Sequence, residues 1–114
     1  MELPDHALTN EVSPQELEAL LAAGTVRLID CREDDEFTIC RIEGSTLIPL
    51  KQIPEKLELV RGGGEQPLVI YCHHGMRSLH ATQFLRSRGI EQVFSLRGGI
   101  DAWSDSIDST VPRY

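Results

Sequence analysis

Short apolar runs alternate with helical patterns along this chain, and that alternation limits its possible folds more than any other feature. Val26-Arg27-Leu28-Ile29-Asp30, Thr46-Leu47-Ile48, Leu68-Val69-Ile70-Tyr71 and Gln92-Val93-Phe94-Ser95-Leu96 read as strands, the second stopped by Pro49. Helices fill the intervals. Ser13-Pro14-Gln15-Glu16 is a capping box with proline at the first helical position; Leu17, Leu20 and Leu21 then share a face, and Gly24 ends the helix. Glu33 to Arg41 predicts a short helix with Phe37 and Cys40 on one side, and Ile53 to Val60 another. Ser78 to Arg88 predicts a fourth, capped by Ser78 and closed by Gly89, and Ile100 to Ile107 a last one after Gly98-Gly99. Gly62-Gly63-Gly64 is a loop, and the polar residues 1–11 are expected to adapt to the domain surface or fray. Strands alternating with helices imply parallel pairing, right-handed crossovers and a sheet covered on both faces. Ligands of such sheets bind beyond the carboxyl ends of the strands. The chain is read as one α/β domain spanning 1–114, with no repeat and no linker.

Charge and composition narrow the partners. Eighteen acidic residues against 11 basic ones give a net charge of −7, which argues against a nucleic-acid binder with its usual basic face. An anionic substrate therefore needs a locally positive pocket. Met1-Glu2-Leu3-Pro4-Asp5-His6 lacks the basic and apolar regions of a signal peptide, and no apolar stretch approaches the roughly 18 residues of a membrane span. Three cysteines, Cys31, Cys40 and Cys72, are an odd count without disulfide-framework density, as a reducing cytoplasm favours. A cytoplasmic protein is expected, with neither nucleic acid nor membrane as partner.

The chemistry concentrates at Cys72-His73-His74-Gly75-Met76-Arg77-Ser78, which joins the apolar run Pro67–Tyr71 to the fourth helix. A cysteine between a strand and a helix N-terminus has backbone N–H groups and the positive end of the helix dipole aimed at its sulfur, so the thiolate is favoured. Gly75 permits a positive φ or a close approach to ligand, and Arg77 adds fixed charge. Such a loop becomes a nest of donors around one sulfur. A small buried residue ending a strand is the bland alternative for Cys72, but it requires none of these neighbours.

The run Cys-x-x-Gly-x-Arg-Ser after an apolar strand resembles the active-site loop of rhodanese-type sulfurtransferases. Further stretches resemble that family in order and spacing: Leu28-Ile29-Asp30-Cys31-Arg32-Glu33, Glu36-Phe37 with Ile42-Glu43-Gly44-Ser45, Ile48-Pro49-Leu50, and Leu96-Arg97-Gly98-Gly99-Ile100-Asp101-Ala102-Trp103. The ending Ile107–Tyr114 looks like the rhodanese domain that closes enzymes activating sulfur-carrier proteins for thiamin or molybdopterin synthesis. Cys40-Arg41-Ile42-Glu43-Gly44 departs from the family's Gly-His-Ile-Pro-Gly, which should alter a turn rather than the chemistry. Cys31 stands where an aliphatic residue is usual and is read as core rather than as a resolving thiol. The resemblance implies a three-layer rhodanese-like fold, a mainly parallel five-stranded sheet with helices on both faces.

It also implies a ping-pong reaction in which Cys72 takes the outer sulfur of a donor such as thiosulfate and carries it as a persulfide. A thiol, cyanide or a sulfur-carrier protein then accepts that sulfur. The substrate-binding candidates are the loop residues His73, His74, Gly75, Met76, Arg77 and Ser78, together with Arg32. His73 and His74 are expected to face solvent, either as plain surface or as groups that steer an anion below neutral pH. Arg77 either holds the donor's sulfonate or braces the loop against a carboxylate, with bracing favoured. Arg32 is expected at the same sheet edge, more readily in an ion pair with Asp34, Asp35 or Glu36, and Trp103 in the core. Four residues separate Cys72 from Arg77, one fewer than in the related phosphatases and arsenate reductases, which favours a cradle for a single sulfur atom. No cofactor and no metal are expected, since Cys72, His73 and His74 are too close together to share one zinc. The alternatives are a non-catalytic rhodanese-like binding module, which typically lacks the nucleophile, and a phosphatase-type or arsenate-reductase-type cysteine enzyme.

Overall fold

The computed structural model describes residues 10–62 and 66–114. Part of the Gly62–Gly64 loop, and residues 1–9, lie outside them. Elements follow in the order β1 (Glu11–Val12), α1 (Pro14–Ala23), β2 (Arg27–Asp30), α2 (Asp34–Ile39), β3 (Thr46–Leu47), a 3₁₀ segment (Leu50–Lys56), α3 (Leu57–Arg61), β4 (Leu68–Tyr71), α4 (Met76–Ser87), β5 (Val93–Leu96) and α5 (Gly99–Ser106). The strands form one parallel five-stranded sheet in the order β1-β5-β4-β2-β3. The α/β architecture expected from the alternation is the one observed.

Within the strands, alternate residues feed two separate cores, as a sheet covered on both faces requires. Leu28, Val69, Tyr71, Phe94 and Leu96 pack with Leu17 and Leu20 of α1 and with Ile100 and Trp103 of α5. Ile29, Cys31, Leu68, Ile70, Cys72 and Val93 face the other way, against Ile53, Val60 and Ala81 and Leu85 of α4. The capping box of α1 is formed as read: Ser13 Oγ accepts from the Glu16 N–H at 3.1 Å, and Glu16 Oε1 accepts from the Ser13 N–H at 2.8 Å. Gly24 closes the helix at φ +67°.

Several boundaries differ from expectation, among them the helix read as Ile53–Val60, which is 3₁₀ as far as Lys56 and α-helical only from Leu57. Glu11–Val12, placed in a polar terminal stretch, is an edge strand: it pairs with Ser95–Leu96, and Val12 is fully buried. Two residues are too short to show a period of two in sequence. The helix read as Glu33–Arg41 stops at Ile39, because Cys40 turns extended (φ −164°) and drops into the core. The helix read from Ser78 begins at Met76.

The direction in which strands are added across the sheet reverses between β2 and β4. From β2 the chain proceeds to β3 on one side, and from β4 to β5 on the other. The crevice beyond the carboxyl ends of β2 and β4 is therefore the switch point where a parallel sheet binds its ligand. Cys31 and Cys72 follow the last residues of β2 and β4 there, both buried.

Candidate active site

Cys72 ends the central strand β4, and His73, His74 and Gly75 carry the chain into α4. Gly75 caps that helix at φ +103°, a conformation that costs a side-chain-bearing residue dearly. Its left-handed turn folds the backbone over the sulfur. The Gly75 N–H donates to Cys72 Sγ at 3.0 Å and the Ser78 N–H at 3.4 Å. Ser78 is thus not the N-cap that the sequence suggested. It sits inside the first turn, its Oγ 3.5 Å from Cys72 Sγ, 2.7 Å from Ser95 Oγ and 3.2 Å from the Gly75 carbonyl oxygen. Two buried serines therefore tie the loop to β5.

The N-terminus of α5 holds the loop from behind. The Ile100 N–H donates to the Cys72 carbonyl at 2.8 Å, and the Asp101 N–H to the His73 carbonyl at 3.1 Å. With their carbonyls drawn toward α5, the loop residues turn N–H groups toward the sulfur. Gly99 makes this approach possible: at φ +64°, a Cβ on it would lie 2.5 Å from the Cys72 carbonyl oxygen and nearer still to that of His73. Gly99→Ala is expected to push the loop off its donors while the fold survives. The rate of Cys72 alkylation by iodoacetamide at pH 6 should fall, by about tenfold where the loss of the donors returns the thiol to a pKa of about 7.

Charge on the sulfur is strongly favoured. A hydrogen bond from the Cys31 thiol, then those from the Ser78 side chain and the Ser78 and Gly75 N–H groups, hold the Cys72 thiol well below its ordinary range, against the opposing effect of burial. Cys31 moves the other way, its thiol held up by the charged neighbour that it donates to and by burial. With its pKa depressed, Cys72 is thiolate at neutral pH and loses that form only on acidification. Cys72 alkylation, followed by peptide mass mapping, should be flat from pH 8 to pH 6 and decline below that. An ordinary thiol, with a pKa of about 8.5, would instead lose about tenfold per pH unit across that window.

Arg77 forms a bidentate pair with Glu36 of α2, at 2.8 and 2.9 Å. This bond, helped by the Tyr114 hydroxyl, holds the Glu36 carboxyl down at about 2 despite partial burial. Arg32 requires a correction. It is fully buried and pairs not with Asp34, Asp35 or Glu36 but with Asp30, through Nε at 2.9 Å and Nη2 at 2.6 Å. Its remaining donors go to the Cys40 carbonyl (2.6 Å) and the Tyr114 hydroxyl (2.7 Å), so it presents no free edge to a substrate. Two residues apart on a strand end, Asp30 and Arg32 share the face opposite Cys31, and only each other's charge is in reach. His74 is exposed, as expected, but His73 is half-buried: its ring stacks on His74 at 3.9 Å and on Tyr114 at 3.8 Å. Met76 is 63% exposed beside the loop.

Residues 13–106 match the family model of the rhodanese-like domain. The chain belongs to the rhodanese-like family. It is 28% identical over 95 residues to the thiosulfate sulfurtransferase GlpE of Shewanella oneidensis, an alignment covering 83% of this chain and 92% of that one. Identity to the adenylyltransferase and sulfurtransferase MOCS3 of Drosophila yakuba is 34% over 109 residues, covering 90% of this chain and 24% of the relative. The structure of the human single-domain sulfurtransferase TSTD1 superposes with a TM-score of 0.78 at 30% identity, over 85% of this chain and 96% of that one. Against several other curated relatives the chain spans between 19% and 63% of their length. The rhodanese-like fold and the kinship with sulfurtransferases, both implied by the motifs, are thus shown.

Other residues complete the site of this rhodanese-like domain without having been singled out from sequence. Glu36 and Tyr114 join the Arg77 and Arg32 guanidiniums into one network, the Tyr114 hydroxyl donating to Glu36 at 2.7 Å. Tyr114 lies 82 residues from Arg32, and no local pattern announces that contact. Ser95 does carry a signal, as a polar residue inside the apolar run of β5. Asp101 comes near the two loop histidines: among the described residues, ligand atoms of His73, His74 and Asp101 fall within 4.8 Å of one another. Both Asp101 oxygens already accept from Arg113, at 2.9 and 3.0 Å, so the trio is no preformed metal cage.

Proposed function

We propose that this domain is a sulfurtransferase that moves sulfane sulfur from a donor such as thiosulfate to a thiophilic acceptor through a persulfide on Cys72. The carrying observation is the Cys72 sulfur itself, at the end of the central strand, with the Gly75 and Ser78 N–H groups at 3.0 and 3.4 Å. The thiolate attacks the outer sulfur of thiosulfate, the donor's S–S bond breaks with its electron pair leaving on sulfite, and Cys72 keeps the sulfur. No general base is needed, since the nucleophile is already ionised. Loop N–H groups then stabilise charge on the persulfide, as an oxyanion hole does for oxygen. A thiol or a sulfur-carrier protein in the cell, or cyanide in vitro, attacks the terminal sulfur and restores the thiolate.

The paired state of Arg77 supports a positioning role: with both arms on Glu36, it holds the loop's helix rather than the donor's sulfonate. Exposed His74 is placed to steer an anion toward the loop when protonated. All three cysteines are free, which suits the reducing cytoplasm proposed for it. Kinship with a protein named as a thiosulfate sulfurtransferase supports the choice of donor. The test is intact-protein mass spectrometry after thiosulfate treatment without reductant. A gain of about 32 Da, one sulfur atom, mapping to the Cys72 peptide is the expected result. No gain from thiosulfate, or a gain on another cysteine, overturns it.

A further inference from the structure

Sulfur transfer as proposed uses only one of the two buried sulfurs at the carboxyl ends of β2 and β4. β2 and β4 run in register from Arg27 opposite Leu68 to Asp30 opposite Tyr71. The next pair in that ladder is Cys31 and Cys72, and the Cys31 N–H continues the ladder to the Tyr71 carbonyl at 3.0 Å. Partners in a parallel ladder project to the same face, and both cysteines do belong to the same core cluster. Each is the largest single influence on the other's ionisation, as close neighbours are. Adjacent strands lie about 4.8 Å apart, inside the roughly 4.4–6.8 Å Cα separation that a disulfide accepts. Cys31 is 0% exposed, so its neighbour's sulfur is the reaction partner that the fold offers it.

Resting on the reading that Cys72 carries a persulfide, we propose that Cys31 is an internal acceptor that resolves this persulfide and releases hydrosulfide. Cys31 Sγ attacks the inner sulfur, Sγ of Cys72. The bond formed joins the two Sγ atoms; the bond broken is the one between Cys72 Sγ and the terminal sulfur, which leaves with the electron pair. The Cys31 proton goes to the departing sulfur. The sulfane sulfur is reduced to sulfide and the two cysteine sulfurs are oxidised to a disulfide, so no external oxidant enters. A dithiol reductant restores both thiols by supplying two electrons. Timing follows from charge. While Cys72 is a thiolate, Cys31 is kept protonated and inert; once Cys72 carries sulfur, the negative charge moves one atom outward and the restraint on Cys31 weakens. The domain thereby gains a second outlet, sulfide, used when no sulfane acceptor arrives. Core packing alone, the role read for Cys31 from sequence, leaves this contact without a use.

The experiment loads wild type, Cys31→Ser and Cys31→Val with thiosulfate, removes the donor, and follows intact mass and released sulfide with time. Serine keeps a donor to Cys72 and valine matches an aliphatic core, so the two variants do not share a route to misfolding; a thermal melt checks both. In wild type, the gain of about 32 Da should give way to a mass about 2 Da below the reduced protein, with one equivalent of sulfide and a linked Cys31–Cys72 peptide. Both variants should hold the persulfide at least about tenfold longer and release little sulfide. Equal persulfide lifetimes in all three proteins, or sulfide release without the linked peptide, overturn the inference and leave the sulfurtransferase reading standing. No mass gain in any of the three overturns both.

Discussion

Cys72→Ser is expected to bring thiosulfate-to-cyanide sulfur transfer down to the background rate, a loss of at least about 10⁴-fold. Geometry would be nearly unchanged, since serine fits the space and the Gly75 and Ser78 N–H groups stay aimed at residue 72. What disappears is ionisation. The hydrogen bonds that make a thiolate at neutral pH cannot bring an alcohol, far weaker as an acid, to the same state, and a covalent sulfur intermediate cannot form on oxygen under these conditions. A steady-state assay of thiocyanate formation measures the loss. Cys40→Ser is the matched control: Cys40 is buried on the opposite face, and its backbone carbonyl, which accepts from Arg32, is kept. Substantial activity remaining in Cys72→Ser would assign the sulfur chemistry to another residue.

The nucleophile was legible because the features that make it reactive are local. An apolar strand, a cysteine, a glycine three residues on and a helix follow one another closely, so backbone geometry alone brings the N–H groups to the sulfur. The same holds for the capping box of α1, whose hydrogen bonds span three residues. Ser78 was misassigned as a cap because the positive φ of Gly75 starts the helix two residues earlier than the serine signal implies. Residues brought together by topology were less visible. Asp30, as near to Arg32 along the chain as Asp34 is, was passed over for the three acids that follow, since charge proximity along the chain says nothing about which face of a strand end each side chain takes. The Cys31–Cys72 contact needs the pairing of β2 with β4, which skips β3 in sequence, and the Tyr114 contacts need the whole fold in place. β1 was missed for a simpler reason, its two residues being supported by pairing with β5 rather than by a pattern of their own.

Asp30→Ala should be the most damaging substitution for stability, costing about 3–5 kcal/mol, because it strands a buried charge. Asp30 and Arg32 are both fully buried, and the carboxylate accepts from Arg32 Nε, Nη2 and the Arg32 backbone N–H. Without it, the guanidinium keeps only the Cys40 carbonyl and the Tyr114 hydroxyl as close partners. Against a total stability of about 5–15 kcal/mol for a domain of ordinary size, that loss is severe, and the melting temperature should fall by about 15 °C or more. Breaking a buried pair differs from replacing it. Asp30→Asn with Arg32→Met removes both charges, refills most of the volume and keeps an acceptor for the backbone, so the double variant should be more stable than Asp30→Ala alone. A urea titration of these variants separates the two effects. If Asp30→Ala costs less than about 1 kcal/mol, water must reach the guanidinium and the pair is not a closed core contact. The consequence extends to the site. Arg32, Tyr114, Glu36 and Arg77 form a continuous hydrogen-bonded chain from the sheet edge to the first turn of α4, so loss of the anchor at Asp30 should also slow Cys72 alkylation at pH 6 under conditions where the variant is still folded.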